Sequence, residues 1–499
     1  MADSSANEFQ QKTVTGIGWS VVSQLGRQGV QFVIGAILAR LLSPDAFGLI
    51  GMVTVFVGFA NIFTDLGFGS ALIQKQDTNP AHYFSIFWIN AGTGLLLMLL
   101  FMAFSPLISS FYGQPVLAPL TRLISVNFFA GSLGIVQSSL LRKRLDFRRL
   151  AFVDLVALII SGTIGVTMAF LGLGVWSLAW QSVVSTSLKA ALLWIASDWR
   201  PAMRFKWAAV KDLLGFSSNL LGFSSINYWL RNMDNMLVGR FLGKAALGIY
   251  SKSYSIMLLP LTMISRTIGK VMFPALSAIQ HDVSRVAKIY LRITRTIAMV
   301  TFPMMIGLWV VADHFVLAVF GNQWAGMIPI LRIFCIIGMI QSIGTLNGNL
   351  YLSQGRSDLQ FKVGIVIGSL GIGAIALGLR WGVEGVAKAY GVLSVLVAYP
   401  SISIAVSLVG LTFLSVVRNL LGVSACATAM GIAVWALGSL LPSSWPHWAN
   451  LAVQVPFGGI VYFLLIRMFK IQAYQDLRVV ALAQWQQRKG RAVSAVAKS

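Results

Sequence analysis

The chain has 499 residues, of which 57% are hydrophobic and 11% charged. A typical soluble domain carries about 25% charged residues, so a water-soluble globular protein is excluded. The formal charge of +23 would suggest nucleic acid in a soluble chain. In a chain this apolar that partner is not expected, and each charge has to be placed first. Cys335 and Cys426 fall inside apolar spans and His82, His281, His314 and His447 are scattered. Neither a disulfide framework nor metal-ligand spacing results, so no metal or cofactor is expected.

The first fifteen residues, MADSSANEFQQKTVT, lack the apolar core of a signal peptide, so insertion is expected to begin with the first span. Crossing a bilayer takes about 20 apolar residues. Runs of that order lie at 15–40, 46–70, 82–106, 117–140, 150–171, 174–196, 213–238, 246–279, 289–312, 328–351, 362–379, 383–409, 414–440 and 449–467. The expected fold class is therefore an all-α polytopic membrane protein with about fourteen transmembrane helices. The eighth run is over-long, and Pro260 and Pro274 are positioned to kink or divide it. GIVIGSLGIGAIALG at Gly364–Gly378 reads as close helix packing, not as a nucleotide fingerprint.

Short loops rich in Lys and Arg mark the cytoplasmic side. One alternating set of loops contains Arg142–Arg149, Asp198–Lys211, His281–Lys288, Ser353–Lys362 and the basic tail. The other set includes Ser105–Val116, Asp313–Met327 and Leu441–Trp448, with no Lys or Arg among them, and only Arg240, Lys244 and Arg380 break the pattern. Both termini are therefore expected to be cytoplasmic. The tail from Lys470 places Ile471, Tyr474, Leu477, Ala481 and Trp485 at helical spacing. An amphipathic helix on the inner leaflet and a partly disordered tail both fit it.

The turn closing the first span returns later in the chain. LARLLSPDAFG (Leu38–Gly48) and VGRFLGKAALG (Val238–Gly248) share Arg40/Arg240, Leu42/Leu242, Ala46/Ala246 and Gly48/Gly248 at one fixed offset. The offset holds an even number of spans, which gives parallel repeats. The expected organisation is a six-helix lobe at 1–200, a second at 201–410, two additional helices at 411–467 and a cytoplasmic tail at 468–499. Binding sites in such repeats tend to lie between the halves near mid-membrane.

An arginine or lysine at the centre of a span costs about 2.5–3.5 kcal/mol on insertion scales and usually faces a cavity or a partner. In the first span Ser20, Gln24, Arg27, Gln28 and Gln31 recur at steps of three and four along one stripe. This fits either a cavity lining or a hydrogen-bond network between helices. In the seventh span Ser224, Asn227, Tyr228, Arg231, Asp234 and Asn235 repeat the pattern, with an Arg231–Asp234 ion pair as the alternative. Arg266 and Lys270 stand four residues apart in the eighth span, and like charges at that spacing repel. They either reach cytoplasmic water or await an anion. Arg122 and Arg332 lie toward outer ends and are further cavity candidates, while Asp65, Asp154 and Lys189 lie toward cytoplasmic ends and can reach water. The substrate-binding set expected is Arg27, Gln24, Gln31, Arg122, Asn227, Arg231, Lys252, Arg266 and Lys270. No GxSxG, HExxH or Walker motif is present, so a transporter is expected and an enzyme is not.

ARLLSPDAFGLIG (Ala39–Gly51) followed by FTDLGFGSALIQKQ (Phe63–Gln76) resembles the polysaccharide-transporter branch of the multidrug/oligosaccharidyl-lipid/polysaccharide exporter superfamily. It looks most like the Wzx-type flippases of the colanic-acid exporter kind. The resemblance runs through the first two-thirds of the chain and weakens beyond. It implies two six-helix lobes in a V shape and alternating access. It also implies an undecaprenyl-diphosphate-linked oligosaccharide as cargo, moved from the cytoplasmic to the outer leaflet during exopolysaccharide or lipopolysaccharide synthesis. A polysaccharide polymerase and a chain-length regulator are the implied protein partners. Related lipid II flippases bind their diphosphate with arginines, to which Arg27 corresponds by position, and Arg266 and Lys270 more loosely. A multidrug or cation antiporter of the same superfamily, or a non-transporting scaffold subunit, are the competing expectations.

Overall fold

The computed structural model describes residues 24, 26–75, 77–472, 474 and 475; for 214–220, 223 and 263–271 the description extends to the helical backbone and not to the side chains. All regular structure among these residues is helical. The first half holds α1 (26–41), α2 (Pro44–Asp65), α3 (Phe68–Gln74), α4 (Pro80–Tyr112), α5 (Leu117–Ser132), α6 (Ile135–Lys143), α7 (Phe147–Phe170) and α8 (Val175–Ala196). A helical run, α9 (Trp207–Ala278), follows and is interrupted at Gly243 (φ 85°). The second half adds α10 (Val283–Val310), α11 (Ala312–Val319), α12 (Met327–Gly344), α13 (Asn347–Ser353), α14 (Ser357–Gly378), α15 (Gly382–Ser407), α16 (Phe413–Leu440) and α17 (His447–Met468). Among the described residues eight helical runs are long and apolar enough to cross a membrane, and the bent pair α5 and α6 makes a ninth. The protein is a multi-pass helical membrane protein.

The chain forms two compact units. The first takes the described residues up to Lys252 together with Ile375–Val386; the second takes Ser253–Ala374 and the described residues from Ala387 on. In the first unit, local chemistry sets the helix ends. Pro44 occupies the first turn of α2, with Asp45 beside it, where a missing N–H costs nothing and a carboxylate suits the helix dipole. Leu66 (φ 50°) and Gly67 (φ 75°) end α2 in left-handed conformation. Asn79 and His82 form a reciprocal cap at the start of α4, satisfying backbone N–H groups that would otherwise lack partners.

The repeated turn becomes a contact. A methyl group placed on Gly48 would lie 1.7 Å from the Lys244 carbonyl oxygen, and one on Gly248 would lie 2.0 Å from the Pro44 carbonyl oxygen. Position 44 is to 244 as 48 is to 248, so the two copies of the turn meet reciprocally, backbone against backbone. Small residues permit this approach, and Lys244 Nζ adds an ion pair to Asp45 at 3.1 Å. Further along, the Tyr228 hydroxyl donates to the Val55 carbonyl at 2.7 Å, over Gly58.

The stretch between α8 and α9 is strapped onto α4. Trp88 Nε1 donates to the Ala202 carbonyl at 2.9 Å, and Lys206 N–H donates to Ser85 Oγ at 2.9 Å. Lys75 Nζ donates to Asp212 at 3.3 Å and holds that carboxylate below its usual range, with His82 adding to the effect.

The core of the second unit joins α10, α13, α15, α16 and α17 through side chains such as Tyr290, Phe302, Leu350, Val406, Val423 and Met430. Two polar ties cross it: the Tyr462 hydroxyl donates to the Met299 carbonyl at 2.8 Å, and Asn419 donates to the Leu291 carbonyl at 2.7 Å. Thus α16 and α17, read from sequence as additions, pack on α10 within one core. Tyr474 meets Phe463 edge to face; the tail expectations for Leu477, Ala481 and Trp485 lie outside the described residues.

Gly48→Val is expected to overpack the turn contact by about 1–3 kcal/mol or more, lowering the thermal midpoint of the purified protein. Gly364→Ala, whose new methyl meets nothing within 4 Å, should leave that midpoint almost unchanged. In the first turn of α11, His314 Nδ1 lies 3.0 Å from His447 Nδ1, beside the Asp313–Arg332 pair. Burial, then the neighbouring His447, pushes the His314 imidazole below its ordinary value of 6.5, with Asp313 opposing. Below that ordinary value the unfolded chain takes up the proton first, so stability should fall as pH drops through it. The slope of midpoint against pH should shrink in His314→Gln.

Candidate functional site

The site begins with the polar stripe on α1. Arg27 Nη2 donates to Gln24 Oε1 at 3.2 Å, and its Nη1 stands 3.9 Å from Asp154 Oδ2 on α7. The other oxygen of Asp154 is taken more closely, by Lys189 Nζ of α8 at 2.6 Å. Two cations therefore share one carboxylate, and the cluster carries one excess positive charge.

Helix packing explains the meeting. A methyl group on Gly162 of α7 would lie 2.2 Å from Ile34 Cδ1 of α1, so the two helices are in close contact there. Arg27 and Asp154 lie about two turns earlier on their respective helices. The bare Gly162 position thus lets α1 and α7 run side by side and brings the guanidinium beside the carboxylate. Around Arg27, Gln24 Nε2 and Gln28 Oε1 are buried without a hydrogen-bond partner among the described residues. Buried polar atoms of this kind are uncommon and call for an explanation. One is a donor and one an acceptor, a set suited to an oxyanion and a hydroxyl.

The remaining expected residues separate. Gln31 is exposed on α1. Arg122 Nε donates to Ser105 Oγ of α4 at 3.0 Å. Arg231 Nε donates to Asn227 Oδ1 at 3.4 Å, and both are exposed. The Arg231–Asp234 ion pair does not form. Asp234 is buried and accepts from Asn235 N–H at 2.7 Å and from the Tyr250 hydroxyl at 3.2 Å. Lys252 Nζ donates to the Gly35 carbonyl at 3.1 Å and sits 4.9 Å from the centre of the Phe47 ring, tying α9 to α1 and α2. Arg332 is paired with Asp313 at 2.6 Å. The side chains of Arg266 and Lys270 lie outside the described residues.

Asp154 and Lys189, read from sequence as reaching water, are the partners that composition of the first span alone could not show. A signal existed: opposite intramembrane charges on consecutive spans tend to find one another. No group of three or more His, Cys, Asp or Glu fit to hold a metal occurs among the described residues.

Residues 37–329 match the family described as polysaccharide biosynthesis protein. The chain belongs to that family. Its curated relatives include the teichuronic acid biosynthesis protein TuaB of Bacillus subtilis, 31% identical over 70% of this chain and 72% of the relative. The lipopolysaccharide biosynthesis protein WzxC of Escherichia coli is 28% identical over 74% of this chain and 76% of its own length. Among solved structures, the lipid II flippase MurJ in an inward closed conformation aligns with a TM-score of 0.72 at 16% identity. It covers 92% of this chain and 99% of its own. An inward-facing multidrug resistance MATE transporter aligns with a TM-score of 0.63 at 14% identity, covering 78% of this chain and 99% of its own. These likenesses show the fold, a helical bundle that this chain shares with those two proteins.

The shared carboxylate separates two roles for the cluster. Its members are 30 to 41% exposed, and where that exposure is to cytoplasmic water such pairs are worth about 1 kcal/mol or less. Asp154→Asn should therefore change unfolding free energy by no more than about 1 kcal/mol. A loss near 3 kcal/mol or above, the range for breaking a buried pair, would mark the cluster as structural glue. Thermal or denaturant unfolding of the purified protein decides between them.

Proposed function

We propose that this member of the polysaccharide biosynthesis family is a flippase that moves an undecaprenyl-diphosphate-linked oligosaccharide from the cytoplasmic to the outer leaflet of the inner membrane. Two six-helix lobes, within a bundle of about fourteen spans whose termini are cytoplasmic, would alternate access to the two sides. The observation that carries the reading is Arg27, an intramembrane guanidinium whose carboxylate partner is held more closely by Lys189.

A diphosphate is a compact anion, and the guanidinium fork matches phosphate oxygens. The unpartnered Gln24 Nε2 adds a neutral donor, and the Gln28 carbonyl oxygen an acceptor for a sugar hydroxyl. Arg266 and Lys270 are proposed as a second cationic pair for the same headgroup. Gln31, Asn227 and Arg231 offer polar groups to the glycan. The hydrocarbon chain stays in lipid, so only the headgroup needs a polar route. An excess of positive charge disfavours the cationic cargo of a drug antiporter, which supports the lipid-linked anion over that alternative. Outward movement of negative charge would be aided by an inside-negative potential at about 2.3 kcal/mol per charge per 100 mV, provided the cationic site does not travel with it. The names of the relatives TuaB and WzxC place those proteins in polysaccharide pathways, which agrees with a polymerase and a chain-length regulator as neighbours.

Arg27→Ala should abolish polymer export and leave undecaprenyl-linked repeat units in the cytoplasmic leaflet. Lipid extraction and a periplasmic accessibility assay on cells with equal amounts of inserted protein provide the measurement. Unimpaired export from the stably inserted variant would refute the anion site.

A further inference from the structure

A second polar feature of the first unit adjoins the Arg27–Asp154 contact through Lys189. A cavity of about 280 Å³ is lined by Asp65 of α2, Ser70 of α3, Ser138, Ser139 and Arg142 of α6, and Lys189 of α8. Two helix interruptions converge on it. Leu66 and Gly67 break α2 from α3 in left-handed conformation, and α6 departs from α5 by 42°. Discontinuous helices that line a polar cavity are a recurrent way to build a binding site in transporters.

The chemistry of the lining is specific. Asp65 Oδ1 accepts the Gly69 N–H at 2.8 Å. A methyl group on Gly69 would come within 2.9 Å of Asp65 Oδ2 and 3.1 Å of Ser139 Oγ. The missing side chain therefore leaves both oxygens open to the cavity. Asp65 and Arg142 both line the space, yet no nitrogen–oxygen distance between them is within the 4.0 Å of an ion pair. Lys189 lines it too, while its ammonium is engaged by Asp154. The wall thus offers a carboxylate and serine hydroxyls that can bond sugar hydroxyls, with a guanidinium and an ammonium for an attached anion. The space is slightly below the usual range of about 300–1,000 Å³ for ligand pockets, which suits one sugar ring and excludes a whole oligosaccharide.

We propose that this cavity between α2–α3, α6 and α8 is a subsite for one phosphorylated or otherwise anionic sugar unit of the transported headgroup. Asp65 and the serines contact its hydroxyls, and Arg142 and Lys189 contact its anionic group. Since the loops at Arg142–Arg149 and after α8 are rich in Lys and Arg, the cavity belongs to the cytoplasmic half of the membrane. The ligand would meet it before reaching Arg27. Lys189 joins the two places: a ligand anion drawing it away from Asp154 leaves that carboxylate to Arg27. The proposal rests on the flippase reading and adds to it a sugar-recognition step inside the first unit.

The test is a calorimetric titration of the full-length protein in lipid nanodiscs with α-D-glucose 1-phosphate, compared with glucose and with inorganic phosphate. The sugar phosphate should bind at least about ten-fold more tightly than either component. Arg142→Gln and Gly69→Ala should each weaken it by about ten-fold or more, and Arg144→Gln, outside the lining, should not. The probe should also be displaced by an undecaprenyl-diphosphate-linked disaccharide. The proposal is overturned if the probe does not bind, if both lining variants bind it like the unsubstituted protein, or if the lipid-linked saccharide leaves it bound. Failure here leaves the export defect of Arg27→Ala standing. Loss of the flippase reading would instead show as normal export in Arg27→Ala, whatever the titration gives.

Discussion

Backbone approach at Gly48 and Gly248 is the constraint from which the geometry of the first unit follows. With each glycine against a carbonyl oxygen of the opposite turn, α2 and the part of α9 after Gly243 have little freedom to slide or rotate. Lys252 follows Gly248 by about one helical turn, and it reaches across to the Gly35 carbonyl and the Phe47 ring. The fixed approach of α9 thereby holds α1 at mid-length. From Gly35 the contact passes to the neighbouring Ile34, which occupies the space left bare at Gly162 of α7. Arg27 and Asp154 then meet as a consequence of that register. A site built on packed helices in this way keeps its geometry better than one carried on loops.

Part of this was readable from residues alone. The membrane class, the helical content and the two copies of the turn follow from hydropathy and one fixed offset, because apolar length and small-residue patterns are local properties. The importance of Gly48 and Gly248 was visible as identity; that they would touch was not, since a repeat says nothing about which surfaces oppose. Arg27 and Gln24 stood out because a charge in an apolar span is costly wherever it points. The partners escaped notice for the opposite reason. Asp154 and Lys189 sit near enough to the ends of their spans to be explained by water, and only the parallel packing of α1 on α7 joins them to Arg27. Tyr228 and Lys252 were legible as polar groups in apolar spans, but not the backbone carbonyls they reach, Val55 and Gly35, because those partners are distant in sequence. Local pairing rules failed at Arg231, four residues from Asn227 and three from Asp234, where the amide was chosen and the carboxylate turned toward Tyr250.

The uneven sharing of Asp154 bears on how a transporter can both take and release an anion. A guanidinium locked into a close two-point ion pair would have to lose it before contacting phosphate, and an incoming headgroup would bear that cost. A guanidinium with no counter-charge would hold a diphosphate too tightly to let it go, given how strongly like environments of low dielectric amplify attraction. With Lys189 at 2.6 Å and Arg27 at 3.9 Å from the same carboxylate, Asp154 would, if Arg27 is the anion site proposed, be close enough to replace a departing anion and far enough to yield to an arriving one. On the flippase reading the carboxylate acts as a resident competitor, and the balance between Lys189 and Arg27 sets the affinity. That balance would shift with small movements of α1, α7 and α8, because the energy of each contact varies inversely with its distance.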